Sequence, residues 1–130
     1  MNSFVNEIAK TIYNEARGEG KIGMEAVAST INNRYNMDRS YMGGQDYNSI
    51  CNKGYEGARG SNPNPTNKYD QESYNYSKQL AEQVVNKSLK DTTGGATHFD
   101  ASRDSFKKFE DKGGMKYTEQ IGKHYFFKEK

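Results

Sequence analysis

Within residues 4–35, apolar side chains twice recur at intervals of three and four. Phe4, Val5, Ile8, Ala9, Ile12 and Ala16 mark one face of a helix over residues 4–17, with Ser3 as its cap. Met24, Val27, Ala28, Ile31 and Tyr35 mark one face of a second helix over about residues 22–35. Gly18 and Gly20 supply the stop between them, so the two helices meet at a short glycine corner. Two apolar stripes need a core to bury them, yet Leu, Ile, Val and Phe make up only 18 of the 130 residues. So low a share signals disorder when net charge is also high. Here 19 Lys and Arg nearly cancel 17 Asp and Glu, and 10 Tyr join 6 Phe as bulky core material. The expectation is one small aromatic-rich domain over residues 1–130.

Several classes are excluded on simple grounds. No run approaches the ~18 apolar residues that span a bilayer, so membrane insertion is not expected. Residues 1–11 lack a basic leading region, and Asn6, Glu7 and Lys10 interrupt any apolar run, so no secretory signal is read. The protein is then expected to be made in the cytoplasm and, if it acts beyond the membrane, to be delivered by another route. A lone Cys51 rules out an intrachain disulfide framework and lacks the paired spacing of a zinc site; no metal and no cofactor is expected. A charge of +2 without a Lys or Arg cluster makes nucleic acid a poor partner.

From residue 36 to 69 the composition shifts to one Ile, no Leu, Val or Phe, five Gly and both prolines, and the stretch reads as loop. Loops of this length are uncommon unless they wall a binding site. Tyr41, Tyr47, Tyr55 and Tyr69 suit either stacking on flat ligand faces or covering the core. Asp70 is a plausible cap for a third and longest helix carrying Tyr74, Ser77, Leu80, Ala81, Val84 and Val85 on one side and ending before residues 92–95. Residues 96–99 and 124–127 read as short strands, separated by a helical turn at Phe106 and Phe109 and a Gly113-Gly114 turn. The fold class expected is α+β, mainly helical with a short β-sheet. Gly94-Gly95 does not match a phosphate loop and could be a helix C-cap. The glycosylation patterns at Asn75 and Asn86 are chance matches in an Asn-rich helix.

Two carboxylates share the first apolar stripe. At ~100° per residue, Glu15 falls about 20° from Phe4, and Glu19, if helical, about 60°. Lost hydration and the negative end of the helix dipole both disfavour ionisation of Glu15, so it should titrate high. A carboxylic acid that keeps its proton near neutrality can protonate a leaving oxygen, as glycoside cleavage requires. The alternative is that Glu15 only pairs with Arg17, Arg34 or a backbone amide, and that Glu19 only orients Arg17 or the corner. His98 and His124 fit no metal pattern; each is either a hydrogen-bonded structural residue or a partner for sugar hydroxyls.

The segment Thr11-Ile12-Tyr13-Asn14-Glu15-Ala16-Arg17-Gly18-Glu19-Gly20 resembles the signature of the cell wall hydrolases of the spore cortex-lytic (SleB) type. Gly23-Met24-Glu25-Ala26-Val27-Ala28 with Ile31-Asn32-Asn33-Arg34 is similar to that family's second helix, and Ser49-Ile50-Cys51 to a loop element. Thr93-Gly94-Gly95-Ala96 and Ile121-Gly122-Lys123-His124 are similar to its later blocks. Asn14 stands where the family usually has Gly, residues 51–60 lack a clear Gly-Gln-Phe element, and Thr97-His98-Phe99-Asp100 replaces a more aromatic run.

The resemblance implies a lysozyme-like catalytic domain that cleaves peptidoglycan glycan strands between N-acetylmuramic acid and N-acetylglucosamine, with the family's catalytic Glu at Glu15. It implies lytic transglycosylase chemistry, in which one Glu acts as acid and then base and no second carboxylate is obligatory. Tyr13, Glu19, Thr93, Gly95, His98, His124 and Tyr125 are the candidate substrate contacts. A monomer is expected, and a phage lysin released through a holin or carried in a virion would suit such a chain. Two alternatives stand: a hydrolytic muramidase with Glu19 or Asp100 as second carboxylate, and a catalytically silent glycan-binding or virion structural module.

Overall fold

The computed structural model describes residues 3–130, and over them the fold is α+β, as the sequence implies. Helix α1 (Ser3–Ala16) buries Val5, Ile8, Ala9, Ile12 and Ala16, so the expected stripe is turned to the core except at Phe4, which is exposed in the first turn. Sealing a side chain such as Ile12 from water contributes roughly 1.5–3 kcal/mol. Ser3, expected as the cap, is instead the first helical residue. The corner is a single 3-10 turn, Arg17–Glu19, and α2 (Gly20–Met37) starts at Gly20 rather than after it.

Helix α2 is buried around most of its circumference, not on one face: Ala26, Val27, Ala28, Ser29, Thr30 and Ile31 are consecutively sealed. Met24, Val27 and Ile31 join the core that α1 forms with Leu80, Ala81 and Val84, while Ala26 meets Ala96 and Phe126 on the other side. The small residues between its large ones let a second layer approach the far side, which a single apolar stripe does not announce.

Residues 36–69 are not loop throughout. They contain 3-10 turns at Ser40–Met42 and Glu56–Arg59 and a two-turn helix, α3 (Tyr47–Gly54). Asp46 caps α3, its carboxylate accepting from Asn48 N–H at 3.0 Å and Ser49 N–H at 3.4 Å. Ile50 and Cys51 enter the core from it, so the segment resembling a loop element is helical. A helix this short has too few apolar positions to show a period. Gly43 seats it: φ is 105°, and a Cβ there would lie 2.5 Å from Ile50 N.

Helix α4 (Lys68–Val85) is capped by Asn67, whose side chain accepts from Asp70 N–H at 2.8 Å, rather than by Asp70. Asp70 lies in the first turn, where a negative charge also suits the helix dipole. At 18 residues α4 equals α2 instead of exceeding it. It ends well before Gly94-Gly95, which therefore cap no helix. Asp91 holds that loop instead, accepting from Thr93 N–H, the Thr93 hydroxyl and Gly95 N–H.

The sheet has three antiparallel strands in the order β1 (His98–Asp100), β3 (His124–Glu129), β2 (Met115–Ile121). A short helix, α5 (Lys107–Asp111), lies between β1 and β2. Strand β2 was not expected from sequence, because Lys116, Glu119 and Gln120 leave it no apolar alternation, and a bulge at residues 117–119 shifts its register against β3. β1 begins two residues later than expected; residues 96 and 97 instead tie to neighbours, Asn33 Nδ2 donating to Ala96 O at 2.8 Å and Thr97 N–H to Phe127 O at 2.9 Å.

Candidate active site

Glu15 stands in the last turn of α1, on the wall of a cleft of about 510 Å³ between the helices and the sheet. The cleft is also lined by Arg34, Tyr41, Lys53, Glu56, His98, Phe99, Asp100, Phe106 and His124. Its size suits a small molecule or a few linked rings. Gly57 N–H donates to Glu15 Oε2 at 2.7 Å. A Cβ on Gly57 would lie 3.0 Å from that oxygen, from Asn14 Cβ and from Thr11 O, so a side chain there would need its neighbours to give by a few tenths of an ångström. Asn14 ties the same segment down, donating from Nδ2 to Gly57 O at 2.9 Å and Ser61 O at 3.1 Å.

Of the partners weighed for Glu15, only the backbone amide is present. Arg17 turns to the Tyr13 hydroxyl at 3.0 Å and Asp70 at 3.4 Å, and Arg34 Nε donates to Thr97 O at 2.7 Å. The amide does not decide the protonation of Glu15. Burial raises its pKa above the ordinary 4.5 against the pull of the Gly57 N–H, and the Glu56 charge pushes the same way as burial. Glu15 therefore holds its proton to higher pH than an exposed glutamate.

His98 sits in β1 with its ring beside Tyr41 and edge-on to Phe106, and its Nδ1 is 2.8 Å from the Thr97 hydroxyl. Burial, with the Arg34 charge adding to it, pushes its pKa down to about 4. It is thus a neutral hydrogen-bonding group at working pH. A ring-proton NMR titration should show His98 still neutral at pH 5, and a midpoint near 6.5 would contradict this environment. Because the unfolded histidine takes its proton first, the stability gained from a neutral His98 is lost as pH falls from about 6.5 toward 4.

His124, at the start of β3, also lines the cleft. Its Nδ1 is 2.9 Å from Glu19 Oε2, and Glu19 Oε1 accepts from Lys123 N–H at 3.3 Å. Glu19 is not a cleft wall; it orients one of the wall residues. Asp100, the other second carboxylate considered, does face the cleft, with its Oδ2 accepting from Ser102 N–H at 3.1 Å.

Four expected contacts lie elsewhere. Tyr13 is buried, packs edge-on against Tyr74 and borders a separate groove with Asn14 and Arg17. Thr93 is sealed in the Asp91 loop, where Gly95 spends its N–H on the same carboxylate. Tyr125 pairs across the sheet with Asp100 and Gln120 and is absent from the cleft lining. The four tyrosines of residues 36–69 divide: Tyr47 and Tyr55 are core, Tyr41 is 56 % exposed and lines the cleft, and Tyr69 is equally exposed but donates to Arg17 O.

Arg34, Lys53, Glu56, Phe99 and Phe106 line the cleft without having been expected there. In the sequence Arg34 stands out as a possible counter-ion and as part of the segment similar to the family's second helix, and Lys53 and Glu56 lie in a stretch without a helical period. Cys51 lies in the core with its thiol pushed up to about 12 by burial, which removes it as a nucleophile. Among the described residues no cluster of three or more His, Cys, Asp or Glu could hold a metal ion, and no helix is long and apolar enough to cross a membrane.

A carboxylic acid slow to ionise, in a cleft walled by aromatic rings and a neutral imidazole, is the equipment of an acid–base enzyme acting on an oxygen-rich ligand. The cell wall hydrolase family model matches residues 18–127, and the chain belongs to that family. It is an enzyme of cell wall breakdown, with peptidoglycan as the material degraded. The match begins at Gly18, so Glu15 lies just outside it. No curated protein and no solved structure matches the chain.

Proposed function

We propose that the chain cuts the glycan strand of peptidoglycan between N-acetylmuramic acid and N-acetylglucosamine, with Glu15 as acid and then base, in the manner of the lysozyme-like, SleB-type enzymes it resembles. The observation that carries this reading is Glu15 itself: a carboxyl group protected from ionisation by burial, fixed by Gly57 N–H on one oxygen, and lining a cleft with His98, Tyr41 and Phe106. Glu15 gives its proton to the glycosidic oxygen as the bond to C1 of the muramoyl sugar breaks. The resulting carboxylate then takes the proton of the C6 hydroxyl of that sugar as its oxygen bonds to C1. The products are a 1,6-anhydromuramoyl end and a new free hydroxyl, with no water consumed. His98, kept neutral by burial, and His124, held by Glu19, offer hydrogen bonds to sugar hydroxyls.

The hydrolytic alternative draws on Asp100 and Glu56, which share the cleft with Glu15 and could direct a water to C1. The two chemistries differ by one water in the product. Mass spectrometry of fragments released from purified peptidoglycan should show 1,6-anhydromuramic ends. Reducing muramic ends as the only product would establish the hydrolase, and no fragments at all would leave a glycan-binding module.

A further inference from the structure

Arg34 is the one charged side chain among the buried residues described, at 7 % exposed. Its Nε is spent on Thr97 O, and its guanidinium lies 5.0 Å from the centroid of the Tyr55 ring. No carboxylate forms an ion pair with it among the described residues. A guanidinium carries five N–H donors, and among the described residues the four on Nη1 and Nη2 meet no acceptor. Among the described residues the only sealed side-chain oxygen or nitrogen without a partner is Asn32 Oδ1, so both Nη atoms are open to the cleft that Arg34 lines. Gly54 clears the seat, since a Cβ there would lie 2.2 Å from Nη1. Lys53 adds a second positive charge to the same wall. A buried cation without a counter-charge is costly unless an oxygen acceptor, best an anionic one, completes its hydrogen bonding.

We propose that Arg34 Nη1 and Nη2 receive the lactyl group of the muramoyl residue, and that this contact decides which of the two alternating sugars lies beside Glu15. The assignment rests on the glycan reading above and goes beyond it by naming the group that sets the register. Both sugars carry N-acetyl groups, which therefore cannot distinguish one register from the other. Only the muramoyl sugar carries a lactyl ether, ending in a carboxylate when free and in an amide carbonyl when a peptide is attached.

The test is calorimetric binding to the Glu15→Gln protein, using two tetrasaccharides of equal length: one alternating N-acetylglucosamine with N-acetylmuramic acid, and chitotetraose, which has no lactyl groups. The lactyl-bearing ligand should bind tenfold or more tightly, and its free-acid form should lose more of that advantage in high salt than the amidated form. Adding Arg34→Gln should bring the two ligands within about twofold by weakening the lactyl ligand alone. Gly54→Ala should do the same while retaining the charge, because its Cβ displaces the guanidinium. Equal binding of the two ligands to the Glu15→Gln protein overturns the proposal without any Arg34 variant, as does a preference that survives in correctly folded Arg34→Gln and Gly54→Ala proteins. If the unsubstituted chain cleaves peptidoglycan but shows no lactyl preference, only this assignment falls. If it neither cleaves the wall nor binds either ligand, the glycan reading falls with it.

Discussion

Replacing Glu15 by Gln should lower peptidoglycan cleavage by about 10²–10⁴-fold, the usual worth of a positioned general acid, while leaving the fold intact. The amide oxygen of Gln can still accept from Gly57 N–H, and the side chain has the same shape; only the transferable proton is gone. Stability should move in the opposite direction from activity. The folded pKa of Glu15 lies above its ordinary 4.5, chiefly because of burial. Below the ordinary value both folded and unfolded chains hold the proton, and the group costs the fold nothing. As pH rises through that value the unfolded chain ionises first, and stability declines until the folded pKa is passed. The Gln variant lacks this decline, so at pH 7 it should melt at or above the wild type, and the two curves should converge in acid. Thermal melts across pH beside turbidity assays on cell walls check both halves. A variant that melts lower at pH 7 and still clears walls would make Glu15 a structural residue.

The second large effect concerns a residue with no side chain. At Gly43 a φ of 105° is strained for alanine, and the added Cβ would lie 2.5 Å from Ile50 N, 2.7 Å from Ile50 Cα and 2.8 Å from Ser49 C. These are backbone atoms of α3 and cannot rotate away. Gly43→Ala should therefore cost about 2–4 kcal/mol, combining conformational strain with displacement of a core helix, and should lower the melting temperature by roughly 10 °C. Gly44→Ala is the internal control. Its φ of 59° is also left-handed, but the nearest atom to its Cβ is Asp38 Oδ1 at 3.5 Å, so only strain of about 1–2 kcal/mol is expected. Equal losses in the two variants, read from urea denaturation at unchanged slope, would show that crowding against α3 is not the cause.

The contrast between α1 and residues 36–69 shows what this sequence makes legible. Ile8, Ile12 and Ala16 repeat over a helix long enough to establish a period, and the placement of Glu15 on that stripe follows from the same geometry. Helix α3 contributes Tyr47, Ile50 and Cys51 in two turns, and its decisive features, the Asp46 cap and the Gly43 seat, make sense only once Ile50 is known to be core. The cleft divides in the same way. Glu15, His98 and His124 bear conspicuous chemistry and could be named without coordinates. Arg34 could not be assigned its place, because a helix with one apparent apolar face gives no hint that a sheet covers its other side. Thr93 and Gly95 form a local pattern whose partner does not show in the sequence: Asp91 uses both to hold a turn.

The walls of the cleft come from widely separated parts of the chain, Glu15 on α1 and His124 on β3, and this orders events during synthesis. At about 5–20 residues per second, roughly 5–20 s pass between the appearance of one and the other. Once residue 37 has been added the nascent chain has both α1 and α2, yet it still lacks His124 and the strand that brings Phe126 against Ala26. A fragment that stops before β3 has Glu15, His98, Asp100 and Phe106 but neither His124 nor the strand that lies between β1 and β2. The whole cleft lining thus comes together only once β3 has been made.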